Sequence, residues 1–396
     1  MAQKLWTRPF IMIMGINFLI FLSFNMINPS LPLYFQDLGI SETMTGVCIS
    51  IFTVGSVIIR PIAGDVLDHF GRRGVFFISM ILLAVLIFCY SFMTTIALIL
   101  ILRVLHGIDW SFASTSTSTI ATDIIPRHLT GTGIGIFGMS MSLALAVAPA
   151  LAVELMDSVG FANMIHISSA FLVVALALGF FFPFDRTLQQ ETPVERQSKK
   201  RDKRDIFEKS AVLPAVIMGF ITLTMSAVTT YVPLYGTTLG LGNTGYFFTI
   251  YAIGLLLVRA FIGHAIDRFG VIATTLPSLV FMLAAMLLLA FAQNLPMLLL
   301  SGFLYGSGFG GAQTTMQSLS VMNAPSERFG AANGTFFIGF DLGIGFGALL
   351  AGTLSDMLGF RMMYLLLIIF IIIATVLVLS FHQSKNLPYN IERNFP

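Results

Sequence analysis

The sequence predicts an all-α membrane protein with twelve transmembrane helices in two six-helix bundles related by pseudo-symmetry. Three observations support this fold class. Only 10% of the 396 residues are charged, 56% are hydrophobic and the mean hydropathy is +0.90, whereas soluble domains carry roughly 25% charged residues. About twelve apolar runs recur, each close to the roughly 20 residues that cross a hydrocarbon core of about 30 Å. The second half of the chain also repeats the first.

The repeat is clearest in two segments, RPIAGDVLDHFGRR at 60–73 and RAFIGHAIDRFGVI at 259–272. The same offset of 199 residues relates Gly107 to Gly306. Parallel repeats in an apolar chain are typical of transporters whose binding site lies where the halves face each other. We therefore expect three units: an N-terminal bundle at 1–184, a linker at 185–209, and a C-terminal bundle with a short tail at 210–396.

In chain order, the predicted spans run near 9–33, 45–62, 75–94, 97–119, 131–155, 164–184, 211–234, 246–262, 272–292, 297–320, 331–355 and 362–382. The first is expected to be uncleaved, because its apolar run exceeds the roughly 7 to 15 residues of a signal peptide. With both termini inside, Arg361 is the only basic residue on an outer loop and Arg103 the only one deep in a span. This asymmetry predicts a multi-pass protein of the cell (cytoplasmic) membrane with both termini cytoplasmic.

The remaining composition excludes several classes of function. A net charge of +2 gives no general electrostatic attraction for nucleic acid. The six histidines show no shared helical spacing of metal ligands, and Cys48 and Cys89 lie inside apolar runs. No cluster of nucleophile and base is present, so we expect neither an enzyme nor a metal site. The linker mixes eight basic with six acidic residues, which favours a solvated segment over lipid head-group binding.

The loop between spans two and three carries a motif that resembles the best-known loop motif of the major facilitator superfamily. The motif residues are Gly64, Asp65, Asp68, Gly71, Arg72 and Arg73, with a degraded copy at Gly263, Asp267, Arg268 and Gly270. A carboxylate such as Asp65 is expected against the positive N-terminus of span eleven, near Ala331, and Arg72 and Arg73 are expected to pair with Asp123. These contacts would gate the cytoplasmic side. The alternative is a merely solvated charged turn.

Span four carries Arg103, His106 and Asp109 at i,i+3 spacing, so that each side chain can touch the next. Its Arg103 and Gly107 resemble the helix-four motif of proton-coupled exporters in that superfamily. Asp109 lies near the membrane midplane, where burial favours the neutral acid and a nearby cation favours the carboxylate. Alternating exposure would switch between the two forms, as proton coupling requires. The alternative is a static structural ion pair.

Span eleven contains a second mid-depth acid, Asp341, whose repeat counterpart is Ser142. The acid is therefore not inherited from the duplication. Proton coupling, cation binding and pairing with a substrate are the functional interpretations, and a buried polar contact is the alternative.

Polar residues in spans one, four and ten are expected to line a central cavity, although helix packing would also explain them. The candidates are Asn17, Asn25, Asn28, Ser114, Thr117, Gln313 and Gln317.

The resemblance covers nearly the whole chain, and it implies the twelve-helix drug or metabolite:proton antiporter branch. It implies proton-coupled efflux of small amphipathic molecules by alternating access, driven by the proton gradient without a cofactor. We expect a monomer in the lipid bilayer. Span five departs from the exporters' glycine pattern: Gly135 and Pro149 match, but Ala144 and Ala148 replace glycines. Proton-coupled uptake of a sugar or small organic solute is therefore the alternative. A non-transporting receptor or scaffold is a remote one.

Overall fold

The computed structural model describes residues 5–38, 42–184, 207–241 and 246–383. Over these ranges the chain is helical and contains no β-strand. Ten of the described helices are long and apolar enough to cross a membrane. Two of the ten contain one glycine with non-helical backbone angles, Gly270 and Gly359, and each therefore divides into two spans. The expected twelve transmembrane helices are confirmed.

The segments Tyr246–Ala290 and Phe329–Gln383 are the two that divide. Numbered in chain order, the helices are α1 Arg8–Asp37, α2 Glu42–Phe70, α3 Arg72–Cys89, α4 Ile96–Ile124, α5 Thr130–Val159, α6 Phe161–Phe180, α7 Lys209–Thr238, α8 246–269, α9 271–290, α10 Leu295–Met322, α11 329–358 and α12 360–383. We call the end of the bundles where α6 ends and α7 begins the linker side. Residues 185–206, which hold most of the predicted linker, lie outside the described residues.

Glycine turns join the second helix to the third and the fifth to the sixth in each half. Gly71, Gly160, Gly270 and Gly359 have φ angles of 87°, 83°, 84° and 76°. Residues with a Cβ seldom adopt such angles, so glycine permits a reversal of the chain without a loop. The first and third of these glycines, like the second and fourth, are separated by the repeat offset, and the duplication therefore extends to backbone geometry.

Each half has its own hydrophobic core. One cluster draws mainly on α1–α6 and includes Phe10 and Phe76, and the other draws on α7–α12 and includes Phe247 and Tyr364. Large apolar side chains also cover the outer surface, and Phe261 is 71% exposed. A helical surface of this kind suits lipid, because its backbone polar groups are satisfied within each helix.

The two bundles meet where α2 packs against α11 and α5 packs against α8. Gly64 allows the first contact, because a methyl group added there would lie 2.6 Å from the carbonyl oxygen of Gly330. Gly263, its repeat counterpart, has the same relation to the carbonyl oxygen of Gly131. Small residues let helix backbones approach closely in membranes. The helix α2 continues to Phe70, beyond the span predicted to end near residue 62, because its polar last turns pack on the other bundle.

Candidate functional site

A small cavity lies between the two bundles and is lined by both. Its polar lining consists of Asn17, Ser118, Arg259, Gln313, Thr314 and Gln317, and its apolar lining includes Phe21, Phe137, Met141 and Phe337. Three of the residues predicted for a central cavity, Asn17, Gln313 and Gln317, are therefore brought together. Ser118 lines the cavity too, and its Oγ lies 3.4 Å from Nε2 of Gln317, its own repeat counterpart.

Another predicted cavity residue, Thr117, contacts this lining from behind. Thr117 donates from Oγ1 to Oδ1 of Asn17 at 3.2 Å, and Asn17 donates from Nδ2 to Oγ of Ser140 at 2.8 Å. Asn25 donates to the carbonyl oxygen of Phe21 on its own helix, so its amide is used locally. The side chain of Asn28 lies outside the described residues.

An ion pair joins the two bundles at mid-depth. Nε of Arg60 in α2 lies 2.8 Å from Oδ2 of Asp341 in α11, and Oγ of Ser56 donates to the same oxygen at 2.7 Å. Asp341 stands 12 residues into its helix, about 18 Å from the linker-side end at 1.5 Å per residue. The predicted mid-depth acid is thus held by a cation of the opposite bundle.

Arg60 is anchored to its own bundle by further hydrogen bonds. Nη1 donates to Oγ of Ser114 at 2.6 Å and to Oγ1 of Thr115 at 3.1 Å, both in α4. Its side chain is only 2% exposed. The expectation that Arg103 is the only basic residue deep in a span is wrong, because Arg60 and its counterpart Arg259 are also buried there. Their recurrence at the start of both motif copies was the signal that could have identified them.

Arg259 in α8 faces α5 and α10. It donates from Nη1 to Oγ of Ser142 at 2.7 Å and to the carbonyl oxygen of Gly138, and from Nη2 to Oε1 of Gln313. The repeat counterpart of Ser142 is Asp341, and that of Gln313 is Ser114. Both counterparts form hydrogen bonds with Arg60. The two arginines therefore occupy equivalent places in the fold, each between its own bundle and the other one.

Of the contacts predicted along Arg103, His106 and Asp109, no hydrogen bond or ion pair joins His106 to Asp109 within the described residues. Arg103 donates to the carbonyl oxygen of Cys48 at 3.0 Å and lies over the ring of Phe52. Nδ1 of His106 is 3.0 Å from the hydroxyl of Tyr90. Side chains at this spacing project from adjoining helix faces, and neighbouring helices hold the first two.

Asp109 is 5% exposed, and its Oδ2 has no hydrogen-bond partner among the described residues. No ion pair joins this carboxyl group to a cation within the described ranges. A static ion pair, the structural alternative for this acid, is therefore absent from that part of the chain.

Comparison with known proteins agrees with this architecture. A family model described as Major Facilitator Superfamily matches residues 13–257 and 242–393. The chain belongs to the Major Facilitator Superfamily (MFS). It is an MFS transporter and not an enzyme.

Curated relatives of this MFS transporter have names that describe export. The staphylopine export protein of Staphylococcus aureus (strain Mu50 / ATCC 700699) is 25% identical over 390 residues, which cover 94% of this chain and 95% of that protein. The multi-drug resistance efflux pump PmrA homolog of Lactococcus lactis subsp. lactis (strain IL1403) is 27% identical, with 77% and 78% covered. Among solved structures, the human organic anion transporter MFSD10 (TETRAN) superposes with a TM-score of 0.78 at 16% identity, covering 94% of this chain and 99% of that chain. This structural likeness shows the shared fold.

The loop motif of this MFS transporter contacts the opposite bundle through Asp68. Backbone N–H groups of Gly330 and Ala331, at the N-terminus of α11, donate to the two carboxylate oxygens of Asp68 at 3.0 and 2.8 Å. The expectation that Asp65 takes this place is wrong, because Asp65 pairs with His69 of its own helix. A carboxylate at a helix N-terminus satisfies free N–H groups and is attracted by the helix dipole.

Two more charged groups extend this contact. Nη1 of Arg72 lies 3.1 Å from Oδ1 of Asp68, and Nε of Arg72 lies 2.9 Å from Oδ2 of Asp123 in α4. The expected pairing of Arg72 with Asp123 is present, and the pairing of Arg73 with Asp123 stays a prediction. Within the second half, Asp267 accepts from the backbone N–H groups of Gly131 and Thr132, both at 2.9 Å, so the helix cap is repeated with the halves exchanged.

Proposed function

We propose that this MFS transporter is a proton-coupled antiporter that exports small amphipathic drugs or metabolites by alternating access. The observation that carries the proposal is the ion pair between Arg60 and Asp341, which joins the bundles at mid-depth. Relatives with export names over most of their length support the direction of transport.

Asp341 is the mobile partner in the proposed cycle. Arg60 keeps three hydrogen-bond contacts to α4 whether or not Asp341 is present, because Ser111, Ser114 and Thr115 belong to its own bundle. Protonation of Asp341 removes the charge that makes its bonds to α2 strong, so the bundles are then free to separate. One proton that crosses about 100 mV supplies roughly 2.3 kcal/mol for moving the substrate uphill.

Asp109 is proposed as a second proton-binding group. An ionised carboxylate that is buried and lacks a partner is costly, so the neutral acid is the favoured form in this conformation. Arg103 and His106 are assigned to holding the aromatic packing around α4, with Phe52 and Tyr90.

We assign the linker side to the cytoplasm. Both termini then lie in the cytoplasm, the helices span the cell membrane, and residues 185–209 link the two bundles. The gate on this side is formed by the caps that Asp68 and Asp267 place on the opposite bundle. The charge network of Arg72 and Asp123 positions Asp68. Energy comes from the proton gradient, without a cofactor, and one chain is sufficient because the cavity is formed within it.

The test is transport by purified protein in proteoliposomes with an imposed pH gradient. Amphipathic fluorescent dyes with cationic, neutral or carboxylate groups serve as cargo. Asp341→Asn is expected to reduce gradient-driven flux roughly tenfold or more, because it removes a group that binds the proton. Asp356→Asn is the matched control, since this exposed acid lies near the outer end of the same helix.

Two results would contradict the proposal. Gradient-driven flux in Asp341→Asn equal to that of the wild type would remove Asp341 from the coupling. Accumulation of dye in the direction of proton movement, rather than against it, would indicate symport and favour uptake of a solute.

A further inference from the structure

The two buried arginines occupy equivalent positions, yet their surroundings differ in charge and in volume. At Arg60, the carboxylate of Asp341 accepts from Nε at 2.8 Å. The ring of Phe337 also covers this guanidinium, with its centroid 4.8 Å from Cζ. An acid and an aromatic ring of the opposite bundle therefore enclose the first arginine.

Both groups are replaced by smaller ones at Arg259. The repeat counterpart of Asp341 is Ser142, and that of Phe337 is Gly138. Among the described residues no carboxylate forms an ion pair with Arg259, and its Nε is buried without a hydrogen-bond partner. The position that Asp341 fills at Arg60 thus has no anion at Arg259.

The arginine is charged and faces the cavity. A guanidinium remains protonated at any physiological pH, and a buried charge without a counter-ion is costly. Arg259 and Gly138 both line the cavity between the bundles. A carboxylate is the anion that best matches the planar fork of a guanidinium, because it accepts two parallel N–H bonds.

We propose that Arg259 binds a carboxylate group of the transported molecule, in the position that Asp341 takes at Arg60. The inference rests on the proposed transport function and specifies its substrate class as amphipathic organic acids. The apolar part of such a molecule contacts Phe137 and Phe337, while Asn17 and Gln317 offer hydrogen bonds. Arg259 belongs to α8 and Ser142 to α5. A carboxylate bound between these two residues therefore joins the two bundles, as Asp341 does beside Arg60.

The test compares acids with their amides on the full-length protein in lipid nanodiscs. Probes are 1-naphthylacetate and 4-phenylbutyrate, each measured against its primary amide by isothermal titration calorimetry. The wild type is expected to bind the acids roughly tenfold or more tightly than the amides. Ser142→Asp places a carboxylate of the protein beside Arg259, so this variant is expected to lose roughly tenfold or more in affinity for the acids.

Two matched variants separate charge from shape. Ser142→Asn has a side chain similar in size to that of aspartate but without the charge, so it is expected to weaken the binding of acid and amide alike and to keep the ratio between them. Arg259→Gln is expected to bind acid and amide equally. Ser142→Asp should melt no lower than Ser142→Asn, because it supplies a counter-ion to a buried cation, and its loss of binding is then not a loss of fold.

Three outcomes would overturn the inference: neither acid binds the wild type, acid and amide bind it equally, or Ser142→Asp binds the acids as the wild type does. Binding needs no proton gradient, so a failure of coupling would not affect this result. Conversely, gradient-driven export restricted to cationic or neutral dyes would overturn the inference and leave the transport proposal standing.

Discussion

Three buried ionisable side chains have different surroundings in this protein. Arg60 forms an ion pair with an acid of the other bundle. Within the described part of the chain, Arg259 has only neutral hydrogen-bond acceptors. Oδ2 of Asp109 has no hydrogen-bond partner in that part of the chain. The cost of burying a charge depends on whether these surroundings supply partners for it. The unpaired groups are therefore the ones to which we assign ligands, a proton for Asp109 and a carboxylate for Arg259.

A comparison of two variants of α2, Asp68→Asn and Asp65→Asn, tests which acid caps α11. Asp68→Asn is expected to weaken the linker-side contact by about 1 kcal/mol, because it removes a charge from a helix N-terminus. In a background with Cys48→Ala and Cys89→Ala, Ser118→Cys should then react roughly fivefold faster with a thiol reagent added from the linker side.

Asp65→Asn is the matched control and is expected to leave the rate of thiol labelling unchanged, because the N–H groups of α11 donate to Asp68. Equal acceleration by the two variants would show that charge in the loop, and not the helix cap, holds this side closed.

At the scale of helices, the gate depends on how closely α2 and α11 approach. Gly64 lies against Gly330, and Gly334 lies against Arg60 and Gly64, so the crossing is formed by backbone contacts. This approach lets the carboxylate of Asp68 reach the N–H groups of α11. Helix packing and the polar contact are therefore parts of one interface, and a change in the first should disturb the second.

Gly64→Ala tests this dependence. The added methyl group would lie 2.6 Å from the carbonyl oxygen of Gly330, so the helices must move apart at a cost of about 1–3 kcal/mol. A lower melting temperature in nanodiscs and faster labelling of Ser118→Cys are expected.

Gly74→Ala in α3 is the control for Gly64→Ala, because no atom beyond its chain neighbours and its own helix backbone lies within 4 Å of the added methyl group. It should melt at or above the wild-type temperature, since alanine stabilises a helix relative to glycine. If Gly64→Ala melts as Gly74→Ala does, the close crossing is not needed for stability.

At the scale of the whole molecule, the repeat places equivalent residues face to face between the bundles. Ser118 and Gln317 are separated by 199 positions in the chain and by 3.4 Å in space. The caps of Asp68 and Asp267 are related in the same way, and both are formed in this structure. The linker-side ends of the bundles are therefore in contact at both crossings.

Linking the centre of the interface should stop transport. With the two native cysteines replaced, Ser118→Cys and Gln317→Cys are joined by a short bis-methanethiosulfonate. Flux is expected to fall to that of empty vesicles, because the bundles can no longer separate, and dithiothreitol should restore it. Each single-cysteine variant treated with the same reagent is the control, and full transport by the linked protein would contradict movement of the bundles against each other.

Much of the fold is determined by the sequence alone. Hydropathy sets the number of spans because each must cross a hydrocarbon layer of fixed thickness. The offset of 199 residues predicts which helices correspond, and the positive φ angles at Gly71 and Gly270 follow that correspondence. The polar lining at Asn17 and Gln317 was also predictable, since polar side chains in an apolar span seek an interior surface.

Only the tertiary structure decided which charged groups meet. Asp65 and Asp68 lie about 60° apart around α2, because three residues turn a helix by about 300°. A rotation of about 60° with an axial shift of about 4.5 Å would put Asp65 in the place of Asp68. Arg60 and Asp341 are 281 residues apart, and their pairing depends on the rotation and axial position of two helices. Hydropathy determines that a helix crosses the membrane but not its rotation, because rotation is set by packing against neighbouring helices.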